Sequence, residues 1–282
     1  MRRTGIHLGP IKTPKIKQIE KNAIKLRNLI KENGLRKTAS FLGSWIREDK
    51  TTHILKIQGR RIFVRPRTPD LNVAIESLGK EYAKIKGIIP NELAGCIIDA
   101  GGYIGTSALA LSEIFPRCQI ITIEPHGGNF RVLVDNVASN KMITPVNAAL
   151  VPTEWRERGE VQLADRKAGE WGMQIQPTNG AKKYDKKLET ITIDEAINMT
   201  GCKRALIVKM DIEGSERDIL KSSSQWLDKT DCFFVELHPD IHEDIEAIYT
   251  KACSNRREVQ ALGEKKLSVV NSFPLATQKD GR

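Results

Sequence analysis

The chain has 282 residues, of which 40% are hydrophobic and 28% charged. That is long enough for one large or two small domains whose core needs no disulfide or metal staple, and the composition excludes collagen-like, low-complexity and wholly disordered chains. The net charge of +10 is localised: residues 1–37 hold 11 Lys/Arg and two Glu, so the rest of the chain is nearly neutral and the basicity belongs to an N-terminal arm.

Residues 1–15 carry Gly5, Gly9, Pro10 and Pro14 among basic residues and read as a tail. From Ile16 the apolar residues Ile16, Ile19, Ala23, Leu26 and Ile30 recur at spacings of 3, 4, 3 and 4 with Lys and Arg opposite, which predicts a basic amphipathic helix over 16–33 that stops at Gly34. Such a helix packs on its own domain or on its twin in a homodimer, or it docks on an anionic membrane surface. Alternation around Gly59 predicts a hairpin over 53–65. A Pro-Arg-Thr-Pro-Asp turn follows at 66–70, then a helix near 71–86. The arm (1–37) and a hairpin-and-helix extension (38–90) thus precede a main domain at 91–282. Beyond Pro90, strand candidates at 96–99, 119–123, 143–147, 205–210 and 232–237 alternate with helical stretches, the pattern of an α/β fold with an open, mostly parallel sheet. Residues 151–192, with Trp155, Trp171 and Gly172, interrupt that rhythm and predict an insertion covering the site. Residues 258–262 and 267–270, split by Gly263-Glu264-Lys265-Lys266, predict a closing hairpin. No uncharged apolar run approaches the ~20 residues of a membrane span, and no apolar stretch of a secretory signal follows the basic start. The five scattered cysteines suit a reducing cytoplasm.

The most informative segment is Cys96-Ile97-Ile98-Asp99-Ala100-Gly101-Gly102-Tyr103-Ile104-Gly105, a buried strand ending in an acid and turning through glycines into a helix. Gly101 and Gly102 permit positive φ and close ligand approach, and Gly105 permits close helix packing. The second strand, Ile120-Ile121-Thr122-Ile123, ends at Glu124-Pro125, 19 residues beyond Gly105. That is where a carboxylate grips a ribose diol. The dinucleotide pattern fails, because Tyr103 and Thr106 stand where glycines belong, and a phosphate loop would need G-K-[ST]. An acid at 99 opposes a pyrophosphate but suits the ammonium and sulfonium of S-adenosylmethionine.

The run from Ile98 to Gly105 resembles motif I of the FkbM-type S-adenosylmethionine-dependent methyltransferases, with Tyr103 where many members carry Asn. Further similarities follow in the family's order: Glu124-Pro125 with Asn129 and Asn136, Asn147-Ala148-Ala149, Thr192-Ile193-Asp194-Glu195, Lys209-Met210-Asp211-Ile212-Glu213-Gly214-Ser215-Glu216, and Val235-Glu236-Leu237-His238. Upstream, residues 64–70 and Glu81-Tyr82 resemble the leader of members found in polysaccharide pathways, and Gly169-Glu170-Trp171-Gly172 resembles a stretch in the same subgroup. The resemblance implies a Rossmann-like sheet of seven strands in which the fourth strand, 205–210, lies beside the first. It implies donor contacts from Asp99, Gly101, Gly102, Tyr103, Ile104, Gly105, Glu124, Pro125, Asn129, Asn147, Ala148 and Asp211.

Lys209, Asp211 and Glu213 alternate along one strand tip, and Glu236 and His238 along the next. Asp211 or His238 is therefore expected as the general base for a hydroxyl acceptor, with Glu213 and Glu236 orienting it. Arg65, Asp70, Glu170 and Trp171 are candidates for the acceptor side, Arg for an acidic group and Trp for a sugar face. Asp211, Glu236 and His238 have metal-ligating chemistry, but H-E-x-x-H and cysteine clusters are missing, so no metal is expected. The reading is a cytoplasmic O-methyltransferase acting on a saccharide or glycan precursor, held near the inner membrane face by residues 16–33. The rivals are an NAD-dependent oxidoreductase on a similar sheet and a nucleic-acid-binding module using the arm; the near-neutral body and few aromatics argue against nucleic acid as a partner.

Overall fold

A computed structural model of the chain describes residues 13–158, 161–165, 173–177, 188–222, 224–262 and 264–276. Helix α1 (Thr13–Ile46) is kinked at Gly34, whose φ of 75° and ψ of 164° interrupt the helix. The predicted stop is thus a break rather than an end, and a second helical segment carries the arm past residue 37 into the extension. The face expected to pack is also shifted: Leu29 is buried, whereas Ala23 and Leu26 are exposed.

The hairpin β1 (His53–Ile57) and β2 (Arg60–Val64) follows as predicted. The expected helix at 71–86 is three pieces: α2 (Asp70–Glu76), a π-helical turn (Ser77–Glu81) and α3 (Ala83–Lys86). Next come β3 (Gly95–Ala100), α4 (Thr106–Ile114), β4 (Cys118–Ile123), α5 (Gly127–Val137) and β5 (Ile143–Val146). After β6 (Ala149–Leu150), the expected insertion holds α6 (Thr153–Arg158), an antiparallel pair β7 (Val161–Asp165) and β8 (Met173–Pro177), and β9 (Thr190–Ile191). Then α7 (Ile193–Met199), β10 (Ala205–Met210), α8 (Glu216–Lys221), α9 (Ser224–Asp228), β11 (Thr230–Glu236), α10 (Ile245–Ala252), β12 (Arg256–Leu262) and β13 (Lys265–Val270) complete the order.

Seven strands form one sheet in the order β12-β13-β11-β10-β3-β4-β5. The five from β11 to β5 run parallel, and β12 and β13 are the antiparallel closing hairpin. The central strands are apolar almost without interruption because both faces are covered. Ile97 and Ile207 point into one layer, Ile98 and Val208 into the other. The extension shares the first layer: Ile62, Val64, Tyr82 and Ile85 join the cluster of Ile97, Leu111 and Ile120, so it is built onto the sheet rather than standing apart. Asn136 fastens the join. Its Oδ1 accepts from Phe63 N at 2.7 Å, and its Nδ2 donates to Phe63 O and Ile104 O. The Thr192–Glu195 motif is a reciprocal capping box that starts α7.

Candidate active site

The carboxyl ends of β3, β4, β10 and β11 open into a cleft of about 570 Å³, at the switch point where open α/β sheets take ligands. The turn after β3 lies close against its neighbours. A Cβ on Gly101, at φ 80°, would stand 1.7 Å from the Asp211 carbonyl oxygen, and one on Gly102 would stand 2.2 Å from Thr122 Oγ1. These glycines therefore serve the packing of three strand tips and also line the cleft. A Cβ on Gly105 would meet Val137 and Leu133 of α5, so this glycine admits the neighbouring helix.

Asp99 is placed differently from the expectation. It is fully buried, accepts from Ser107 Oγ at 2.7 Å and Thr122 Oγ1 at 2.9 Å, and pairs with Lys209 at 3.1 Å. It does not line the cleft, and its charge is answered inside the fold. The Lys209 ammonium also donates to the carbonyls of Ala100 and Gly101. Burial opposes that ammonium, but Asp99 above all outweighs it and holds its pKa above the usual lysine value. This buried pair ties β10 to the glycine turn and leaves Asp211, one-third exposed, as the acid facing the cleft.

Glu124 sits at the tip of β4, lining the cleft and almost wholly buried. Its oxygens accept from Tyr103 N at 3.0 Å and His126 N at 2.8 Å, with Asn129 Nδ2 at 3.4 Å. Burial raises its pKa to about 7 against these hydrogen bonds. Tyr103 adopts φ 50°, a region costly for a bulky residue. Its hydroxyl donates to Asp70 at 2.6 Å, which fixes a conformation that Asn would take with less strain.

That bond explains where the acceptor candidates Arg65 and Asp70 lie. Asp70 is fully buried, takes two bonds from the Arg65 guanidinium, and stands behind Tyr103 rather than in the cleft. Arg65 also donates to Asn129 Oδ1. The pair supports the Gly101–Tyr103 turn and has no free fork for an acidic acceptor. Pro125 and Asn129 line the cleft. Ile104 and Ala148 are core residues, and Asn147 braces the turn by donating to the Glu124 and Pro125 carbonyls. Glu170 and Trp171 lie outside the described residues.

The four predicted chemical residues do meet. Asp211, Glu213, Glu236 and His238 all line the cleft, with His238 Nε2 at 3.8 Å from both Asp211 Oδ1 and Glu213 Oε2. A fifth member, Glu216, to which the sequence reading gave no role in the cluster, joins them. It is fully buried, accepts from Ile212 N and Gly214 N at 2.7 Å each, and faces His238 Nδ1 at 3.3 Å. Burial works against the imidazolium, yet Glu216, Asp211 and Glu213 outweigh it and raise the His238 pKa to about 9. His238 therefore carries its proton at neutral pH and is not a free base there. Asp211, Glu216 and His238 bring one ligand atom each within 4.8 Å, a distance a cation could span. Both Glu216 oxygens already serve backbone N–H groups, and the trio reads as an ion-pair cluster.

Sequence reasoning missed the cleft's far rim. Glu81 of the π-helical turn pairs with Lys265 at 2.5 Å, and Lys265 reaches Glu236 at 3.1 Å. Burial and the charge of Asp211 raise the Glu236 pKa, with Lys265 opposing.

Sheet order and the switch-point cleft define a Rossmann-like α/β protein. Residues 99–257, more than half of the chain, match the methyltransferase FkbM domain. The chain belongs to that family. No curated protein matches it. Solved structures similar to it include the Methanococcus jannaschii fibrillarin pre-rRNA processing protein, at 14% identity and TM-score 0.41, covering 78% of this chain and 82% of that one. Pyrococcus horikoshii TYW2 in complex with MeSAdo is similar at 11% identity and TM-score 0.43, covering 79% and 73%. TrmK of M. capricolum in complex with S-adenosylhomocysteine is similar at 10% identity and TM-score 0.38, covering 70% of each chain.

Proposed function

We propose that the enzyme transfers a methyl group from S-adenosylmethionine to a hydroxyl of an uncharged saccharide or glycan precursor. The observation that carries the donor assignment is the pairing of Glu124 with the Gly101–Gly102 turn. A fixed carboxylate at the tip of β4 accepts from a ribose diol, and glycine backbone lets the remainder of the donor lie close. When bound, the donor supplies an electrophilic methyl on a sulfonium. The cleft volume is of the size that takes a donor and part of an acceptor together.

The rest of the chemistry belongs to this chain's own residues. Asp211, beside the turn, takes the acceptor hydroxyl's proton as the new bond forms. His238, protonated and held by Glu216, positions Asp211 and Glu213. Glu236 accepts from a second acceptor hydroxyl. The choice of an uncharged polyol rests on the lining: eight carboxylates face two lysines and His238. Carboxylates accept hydrogen bonds from hydroxyls, and the excess of negative charge repels a uronate or phosphate.

The test is incubation with methyl-labelled S-adenosylmethionine and a panel of neutral glycosides, amino sugars and uronates. Label on a neutral glycoside oxygen is expected. Label on uronates alone, or on nitrogen alone, contradicts the acceptor assignment while leaving the donor intact. We also place the enzyme in the cytoplasm, with residues 16–33 drawing it to the inner membrane face. Five free thiols suit a reducing compartment, and no helix among the described residues is long and apolar enough to cross a membrane.

A further inference from the structure

Beyond the kink at Gly34, α1 carries an apolar face that the fold leaves outside. Leu35, Ala39, Leu42 and Ile46 follow at spacings of 4, 3 and 4 and are all exposed, which is one side of a helix. Leu35 is 73% and Ile46 79% accessible, and Trp45 beside them is 41% accessible. The opposite side is anchored. Thr38, Phe41 and Ser44 are buried, the Phe41 ring meets His53 edge-on at 5.5 Å, and Ser44 Oγ lies 2.9 Å from His53 Nε2. The segment cannot roll to hide its apolar stripe without giving up that anchor. A contiguous exposed stripe of large apolar residues marks a contact surface.

The charges say which surface it meets. Arg36 and Arg47 border the stripe and are exposed, and residues 15–50 hold ten Lys/Arg against four acids. An apolar face with a Trp, set in a basic helix, is the make-up of an element lying in an anionic lipid interface. We propose that residues 35–46 form such an interfacial helix, with Leu35, Leu42, Trp45 and Ile46 entering the headgroup–acyl boundary and Arg36 and Arg47 on the anionic headgroups. This sharpens the membrane contact assigned above to residues 16–33 by moving insertion past the kink and leaving the first segment to supply charge. The first segment is tied to α2, where Lys25 Nζ donates to Asn72 Oδ1 at 2.9 Å. The proposal does not depend on which acceptor is methylated.

The experiment is sedimentation of the full chain with phosphatidylcholine vesicles containing phosphatidylglycerol, and with pure phosphatidylcholine. It uses the wild type, the Leu42→Glu/Ile46→Glu pair and the Arg36→Glu/Arg47→Glu pair. S-adenosylhomocysteine titration of each protein reports that these exposed positions leave the fold intact. Wild type is expected to sediment with the anionic vesicles, and each double variant to lose roughly tenfold or more in partition with unchanged nucleoside affinity. Wild type left in solution with anionic vesicles, or a Leu42/Ile46 variant that sediments like wild type, overturns the proposal. So does a dimer in light scattering that this variant splits while lipid binding is missing, because the stripe then belongs to a second copy. Loss of nucleoside binding in the wild type with sedimentation intact breaks the methyl-transfer reading alone.

Discussion

The two halves of the cleft are built in different ways. The proposed donor half is a nearly continuous piece of chain, β3 to α5, whose acids are met mostly by near neighbours, Asp99 by Ser107 and Thr122 and Glu124 by Tyr103 and His126, with Lys209 and Asp70 entering from outside it. The acceptor half is assembled from a π-helical turn, the tip of β11 and the closing hairpin, joined through Lys265 and Glu81, 184 positions apart in sequence. A largely local network suits a rigid pocket for the proposed donor. An assembled rim can be altered piece by piece to suit an acceptor.

Substitutions can break this contrast in order of severity. Lys209→Met strands Asp99 uncompensated in the core, and a loss of about 3–5 kcal/mol in chemical denaturation is expected. Gly101→Ala forces a Cβ against the Asp211 carbonyl at positive φ; a loss above about 2 kcal/mol together with loss of donor binding is expected. Glu124→Ala spares the fold more but weakens S-adenosylhomocysteine binding by about 10- to 100-fold in calorimetry. In the wild type the Glu124 pKa lies near 7, above its ordinary 4.5. The ligand-free protein therefore loses stability as pH rises from 4.5 through 7. Donor affinity rises over the upper part of that window, because the ionised carboxylate accepts from both ribose hydroxyls.

On the acceptor side the effects move from binding to turnover. His238→Asn should leave donor affinity unchanged and slow methyl transfer by about 10²-fold. With Asp211 as base and His238 as its protonated partner, the wild-type rate falls as pH passes about 9; a rate climbing towards that pH would return the base role to His238. The charged His238 stabilises the fold fully below 6.5, and this contribution is lost as pH rises through about 9. Lys265→Met is the mildest: a rise of a few-fold in acceptor KM with donor binding intact, since this bridge is partly exposed and screened.

The donor half was legible because its signals are local. A buried strand, glycines at a turn and an acid one βαβ unit later are written within some 30 consecutive residues, as are the 53–65 and 258–270 hairpins. Asp99 misled because sequence proximity to the turn does not say which way a side chain points; its register partner across the sheet is Lys209, whose ammonium pulls it inward. Glu216 hid for a similar reason, since only the fold of the Ile212–Gly214 loop presents two N–H groups to it. The π-helical turn and the Glu81–Lys265 bridge depend on distant segments meeting, which no spacing records. The outward stripe of 35–46 escaped because its Leu, Ile and Trp residues look like core until Phe41 is seen to occupy the inner side.

The most direct test of the account is calorimetric titration of the wild-type protein with S-adenosylhomocysteine, with NADH in parallel and Glu124→Ala as the paired variant. The account predicts micromolar binding of S-adenosylhomocysteine, none of NADH, and marked weakening in the variant. Binding of NADH, or S-adenosylhomocysteine affinity that is indifferent to Glu124, would contradict it.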